Sequence, residues 1–183
     1  VGGYCLTKDP WFLSEFAKKI NLEMYTPKTS RKINEGMPNF LHSIFKNKIK
    51  KLKYKNLNIL ILGYSFKSNT GDTRFTPVEK FINLIKKDKF VNNLSISDPL
   101  VKIKDILSNF SKLNFKNFEE TLKIRNKYDV IFFMNGHDQF KKNLNKIMKT
   151  IKKQGLVVDG RYYFSNDQIK RIEKNFKFLG VGW

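Results

Sequence analysis

Two patterns of hydrophobic and polar positions divide the 183 residues. Up to about Lys55 the apolar residues recur at helical spacing. Trp11, Phe12, Phe16 and Ile20 share one face of a predicted helix from Pro10 to Asn21. Asp9 is placed to cap that helix, and Pro10 suits its first turn. After the break at "MYTPKTS", a second helical pattern runs from Ser30 to about Tyr54 and carries Ile33, Met37, Leu41, Phe45 and Ile49. Pro38 should kink or split it. Neither segment makes a core of its own, so both read as helices built to pack on something else.

From Leu57 the period shortens. "LNILILG" is a buried-strand run, followed by the polar loop "YSFKSNTGDTRFT". A helix then starts with Thr76 as N-cap, Pro77 at the first position and Glu79 at the third, the pattern of a capping box. Further strands are predicted at Asn93 to Ser97, Tyr128 to Asn135, Gly155 to Gly160 and Phe176 to Gly182. Helical stretches at Leu100 to Phe110, Phe118 to Asn126, Gln139 to Lys152 and Asn166 to Lys174 separate most of them. Strand and helix in alternation predict a mostly parallel, doubly wound sheet covered on both faces. The expected fold class is therefore α/β: a helical segment over residues 1–55, then a Rossmann-like domain over residues 56–183.

Composition narrows the class. Hydrophobic residues make up 40 % and aromatics 14 %, enough for a packed core. No run is long enough to cross a bilayer, nothing reads as a signal peptide, and one cysteine excludes a disulfide framework. The expected setting is soluble and cytoplasmic, with no membrane partner and no metal site. The net charge of +20 raises nucleic acid as a partner. Yet the densest run, "KNKIKKLKYKN", is lysine rather than arginine, and lysine and asparagine are scattered over every segment. A solvated surface is the favoured reading, and no nucleic-acid partner is expected.

Candidate chemistry gathers in two places. In open parallel sheets, ligands bind beyond the carboxyl ends of the strands, which here means first the loop from Gly63 to Thr76. With only Gly63 and Gly71 it is no dinucleotide fingerprint. It offers instead Lys67 and Arg74 for anionic oxygens and Phe66 as a flat apolar surface. "DGR" places Arg161 at the same rim. The second place is "VGGYCLTKDPWFL", which holds the lone Cys5. A thiol is a poor nucleophile until ionised, and a nearby ammonium such as Lys8 and a helix start both favour the thiolate. Gly2 and Gly3 allow the backbone close to a ligand. Asp9 either activates water or caps the helix.

"GGYCLTKDPWFL" resembles the catalytic-cysteine motif of the nucleotide-sugar 6-dehydrogenases, the UDP-glucose/GDP-mannose dehydrogenase family. "ILGYSFKSNTGDTRFTPVEKFINLI" is similar to the strand and loop that open that family's UDP-sugar-binding domain. "SISDP", "YDVIFFMNGHDQF", "VVDGRYYF" and "FLGVG" follow in the family's order. The resemblance covers nearly the whole chain and implies the C-terminal portion of a longer enzyme, residues 1–55 being the end of a central helical region that forms a homodimer.

The implied activity is an NAD-dependent double oxidation of the C6 alcohol of a UDP-sugar to the uronic acid, through a thiohemiacetal and a thioester on Cys5. A binding module without catalysis is the alternative, and this chain alone is expected to be inactive. By the same resemblance, Asp9 helps position or activate water, and Lys8 lies by the cofactor and the cysteine. Gly2, Gly3, Phe66, Lys67 and Arg161 bind the UDP-sugar, and Arg74 reaches the NAD side. Tyr4, Thr7 and Phe75 depart from the family's usual residues at positions where sugar specificity is set. His137 is expected to be a structural hydrogen-bonder. His42 has no partner that the sequence names.

Overall fold

The computed structural model describes residues 1–102, 104 and 114–181. Two helices lead: α1 (Tyr4–Lys19) and α2 (Tyr25–Leu52). There follow β1 (Leu57–Leu62), α3 (Pro77–Ile85), β2 (Val91–Ser97), β3 (Asn114–Phe115), α4 (Phe118–Thr121) and β4 (Tyr128–Phe133). The chain closes with α5 (Asp138–Lys142), α6 (Leu144–Met148), β5 (Ile151–Asp159), α7 (Asn166–Glu173) and β6 (Lys177–Gly180). The six strands form one sheet in the order β3-β2-β1-β4-β5-β6, and every pairing is parallel. That order places the reversal of winding between β1 and β4, where crossover loops diverge and leave a crevice.

Both faces of the sheet are covered, so its strands read as apolar runs. Alternation still sorts the side chains: Ile59, Ile61, Val130 and Phe132 face α2 and α3, while Leu60, Leu62, Ile131 and Phe133 face the other layer. The adjacent Phe132 and Phe133 thus each anchor one layer. Phe132 meets Phe45 and Phe81 edge-on at 4.8 and 5.0 Å, and Phe133 meets Phe164 at 4.9 Å. Such pairs add about 0.5–1.5 kcal/mol each to the burial of their area.

The α/β class holds, with corrections at the element ends. The first helix begins six residues before Pro10, at Tyr4, with Gly3 at the N-cap position. Pro10 therefore lies inside the helix and Asp9 caps nothing. Gly3 adopts φ 89, a left-handed turn that side-chain-bearing residues avoid, and this makes the earlier start accessible. The second helix begins at Tyr25 and runs on through Pro38 without a split. Thr76 caps α3 by accepting from the Val78 N–H, at 3.3 Å, and a reciprocal capping box forms instead at Ser165 and Gln168.

The stretch expected as one helix from Gln139 to Lys152 is two short helices, and from Ile151 it already belongs to β5. The helix predicted at Leu100 to Phe110 lies mostly outside the described residues. The two-residue β3 leaves no periodic trace in the sequence. His42 does have a partner, since its Nε2 lies 2.6 Å from Asp88 Oδ2. Among the described residues no helix is long and apolar enough to cross a membrane.

Candidate active site

Buried polar residues at the carboxyl ends of the strands shape the rim. Asp98, just after β2, accepts from the N–H groups of Tyr64 at 2.8 Å and Leu100 at 2.8 Å. His137 completes this knot. Its Nδ1 accepts from the Asn69 N–H at 3.0 Å, leaving Nε2 to carry the hydrogen towards Asp98 Oδ2 at 3.2 Å. Burial pushes the Asp98 carboxyl up, but the His137 ring and these amides outweigh it and hold it below its ordinary value. His137 is thus a structural hydrogen-bonder, fully buried and joining two loops. Asn135, after β4, donates to the carbonyls of Ser65 at 2.8 Å and Lys67 at 3.1 Å. Asp159 ends β5 and accepts from the N–H groups of Arg161, Tyr163 and Phe164.

These knots fix the loop that carries Phe66, Lys67 and Arg74, and the glycine pair docks directly onto it. The Gly3 N–H donates to the Arg74 carbonyl at 3.1 Å. A Cβ on Gly3 would meet Phe66 Cε2 at 2.7 Å, and one on Gly2 would meet the Phe75 carbonyl oxygen at 2.5 Å. The space expected for a ligand beside this backbone is therefore filled by Phe66, whose ring edge covers Gly3.

Cys5 follows at the second position of α1, and its side chain is exposed. The unpaired N–H groups of a helix's first turn favour negative charge there. Asp9 is four residues on, on the same helical face, and exposed. The Lys8 ammonium sits over the rings of Tyr4 and Phe12, at 4.7 and 5.2 Å. Tyr4 also meets Phe75, with ring centroids 5.7 Å apart. Two of the positions singled out as departures thus touch each other and form an aromatic lip beside the thiol.

Arg74 lies within electrostatic reach of Cys5. Asp72 fixes its guanidinium from two sides, at 3.0 and 2.6 Å, and Arg74 in turn holds the Asp72 carboxyl below the usual carboxylate range. Arg161 is exposed on the β5–α7 loop and shares a cavity of about 250 Å³ with Val1, Pro38, Leu41, Met134 and Gly160. Asn34 of α2 grips both backbone groups of Val1, at 2.5 and 2.7 Å, and so ties the start of the motif to the body. A wider groove of about 580 Å³ opens from Thr7 and Phe75 along α2 and α3. Lys67 is exposed on the rim, its carbonyl held by Asn135 and its ammonium directed by no anchor of its own among the hydrogen bonds of that loop.

The structure thus brings Gly2, Gly3, Phe66 and Arg74 into contact, sets Cys5 in the first turn of α1 and Lys8 and Asp9 in its second, and joins Arg161 through Val1. Residues that reasoning from sequence missed are Asp72, Asp98, Asn135 and Asp159. For the last three the signal was available: a lone Asp or Asn closing an apolar strand, as in "SISD", "FFMN" and "LVVD", whereas Asp72 lies in a polar loop without such a mark.

Comparison with known proteins places the chain in a family. A family model described as the UDP-binding domain of the UDP-glucose/GDP-mannose dehydrogenases matches residues 60–166. A UDP-N-acetyl-D-mannosamine dehydrogenase of Methanococcus aeolicus is 28 % identical over 185 residues, covering 100 % of this chain and 39 % of the relative. A UDP-N-acetyl-D-glucosamine 6-dehydrogenase of Salmonella typhi is 28 % identical over 144 residues, covering 77 % of this chain and 32 % of its own length. The solved structure of a UDP-D-ManNAc dehydrogenase from Pyrococcus horikoshii superposes on 100 % of this chain and 38 % of its own, with TM-score 0.74 and 29 % identity. The chain spans less than two fifths of the length of these relatives.

Proposed function

We propose, from the premise that the chain belongs to the UDP-glucose/GDP-mannose dehydrogenase family, that it supplies the catalytic thiol and the UDP-sugar grip of an NAD-dependent nucleotide-sugar 6-dehydrogenase. The observation that carries this reading is the docking of Gly2 and Gly3 on the Phe66–Arg74 loop, which sets an exposed Cys5 beside a rim of cations. In this reading Lys67 and Arg161 hold the diphosphate and sugar, and Gly2, Gly3 and Phe66 shape the bed beneath them. Residues 1–55 are the end of a central helical region and residues 56–183 the UDP-binding domain. The exposed apolar faces of α1 and early α2 suit a homodimer.

Chemically, an aldehyde has no electron pair with which to expel a hydride until a nucleophile adds to it. The Cys5 Sγ–C bond forms, the carbonyl pair moves to oxygen, and that oxygen takes a proton. When the C–H bond breaks, its hydride leaves for the acceptor, the oxygen loses its proton, and C=O re-forms as a thioester. Water then adds, the C–S bond breaks and the carboxylic acid departs, with Asp9 receiving the proton from water. NAD, when bound, supplies the hydride acceptor. The fit of this chain to NAD is partial. Arg74, fixed by Asp72 near the thiol, suits one anionic or amide group. The crevice between β1 and β4 has no dinucleotide cradle, because Asn135 closes on Gly63. The chain by itself is therefore expected to bind without oxidising.

Two measurements test the reading. In calorimetry, UDP should bind the chain, and Lys67→Ala should weaken it about tenfold, the scale of one charge-assisted hydrogen bond; unchanged affinity refutes the role of Lys67. In the complete enzyme, Cys5→Ala should lower uronic acid formation by about 10³-fold or more while UDP binding persists. Undiminished acid formation would overturn the mechanism.

A further inference from the structure

The positive charge is not spread evenly once the chain is folded. In a parallel α/β sheet every strand begins, and every crossover helix ends, at the same pole, and helix ends favour lysine. Here that pole is opposite the rim just described, about 20 Å away along a six-residue strand. Exposed lysines crowd it: Lys50, Lys51 and Lys53 at the turn from α2 into β1, Lys86 and Lys87 after α3, and Lys153 at the entry to β5.

Printed contacts stitch these segments into one surface. The Tyr54 hydroxyl donates to the Gln154 carbonyl at 2.9 Å, and Lys46 reaches Asp88 at 3.4 Å. Among the described residues the acids at this pole are Asp88, Asp129 and Glu173. The first is already bound by His42 and Lys46, and the second by Lys152 at 2.8 Å. Most other carboxylates lie on α1, on early α2 or around the rim.

We propose that this lysine pole docks the protein on an anionic lipid surface, leaving the opposite rim open to solution. The surface is two-dimensional, running across the layer of α2 and α3 and along the strand entries, which matches a plane of headgroups better than a line of phosphates. Of the two arginines toward this end, Arg125 is turned onto the carbonyls of Leu122 and Ile124 at 2.7 Å each and has little fork left for bidentate recognition, which leaves Arg171 in the last turn of α7 among many lysines. The ring of Tyr54 is half-buried and already covered by the Lys177 ammonium at 4.8 Å, so it offers bases no stacking platform. Among the described residues no large apolar side chain is exposed at this pole. Adsorption is therefore electrostatic, without insertion, and sensitive to salt.

The test is co-sedimentation with vesicles of phosphatidylcholine alone or mixed with phosphatidylglycerol. Binding is expected only with phosphatidylglycerol, and it should vanish as salt rises to about 0.5 M. Lysines at such a surface contribute about fivefold each, so Lys50→Glu/Lys51→Glu/Lys53→Glu should weaken partitioning at least about a hundredfold. The matching glutamines, which remove charge without reversing it, should show a smaller loss in the same direction. Lys18→Glu/Lys19→Glu/Lys32→Glu, on α1 and early α2 away from this pole, makes the same change in net charge and should act less than about threefold. Circular dichroism and UDP binding report that each variant is folded. Three outcomes would overturn the proposal: no dependence on phosphatidylglycerol, equal loss in both triple variants, or tighter binding of duplex DNA or RNA than of vesicles at the same salt.

Discussion

The leading helices and the α/β body handle hydrophobic surface in opposite ways. Among the described residues, every exposed large hydrophobic except Phe75, Leu100 and Tyr162 lies before Leu41. α1 buries only Ser14 and Ala17, while α3, about half as long, buries Val78, Phe81, Ile82 and Ile85. α2 changes character along its length. Its first half is exposed at Ile33, Met37 and Phe40, and its second half sends Leu41, Phe45 and Ile49 into the same core as β1 and β4. The body thus completes its core with the second half of α2, which reaches into it across the division placed near residue 55. α1 stays attached through α2, on which it packs, and through the glycine pair docked on Phe66. Cys5 therefore sits on the less buried region, and the more buried one holds the glycine pair beside it in place.

Substitutions in the two regions should break or sharpen this contrast. The largest effect is expected deep in the body: Phe45→Ala should cost about 3–5 kcal/mol in denaturant unfolding. Phe16→Ser, on the exposed face of α1, should change stability by less than about 0.5 kcal/mol in the isolated chain. Similar losses for the two would mean that α1 is packed as firmly as the body.

Next comes the rim. Asp98→Asn should cost about 1–3 kcal/mol at neutral pH, since it leaves a buried set of N–H donors poorly paired. Folded Asp98 titrates below its ordinary value of 3.8. Its contribution is then complete above that pH and is lost as pH falls through the lower folded value. The variant should accordingly lose part of the acid dependence of unfolding below about pH 4, and identical acid profiles would remove Asp98 from that role.

An effect of similar size, felt directly at the junction, is expected from Gly3→Ala. Its φ of 89 and the nearby Phe66 ring predict a loss of about 1–3 kcal/mol in thermal unfolding, with weaker UDP binding. A variant as stable as the parent would show that the docking of the motif is not close-packed.

Much of the body was legible because its signals are local. "LNILIL", "YDVIFF" and "GLVV" are apolar runs bounded by turns, and Thr76-Pro77 marks a helix start whatever surrounds it. At the candidate site the sequence offered one cysteine between a glycine pair and a Lys-Asp, a pattern that by itself suits a nucleophile or a small buried side chain equally, and the structure leaves Cys5 exposed. The start of α1 was misread because Asp9-Pro10 is a strong local signal. The helix instead begins where Gly3 can take a left-handed turn against Phe66, a contact made across more than sixty positions of sequence. β3 and the split of α5 from α6 were illegible for a related reason. Each is too short to show a period, and β3 is formed by its pairing with β2.

Residue order by itself determined the α/β class, the run of buried strands and the presence of a thiol beside cations. These follow from side-chain periodicity and type, which act over a few residues. Which carboxylates would knot the rim, that Phe66 would fill the glycine cleft, that Tyr4 would meet Phe75, and that the lysines would collect at one pole were decided only by the tertiary structure. Each depends on groups far apart in sequence brought within a few ångströms, where burial and the need to pair every polar atom select one arrangement.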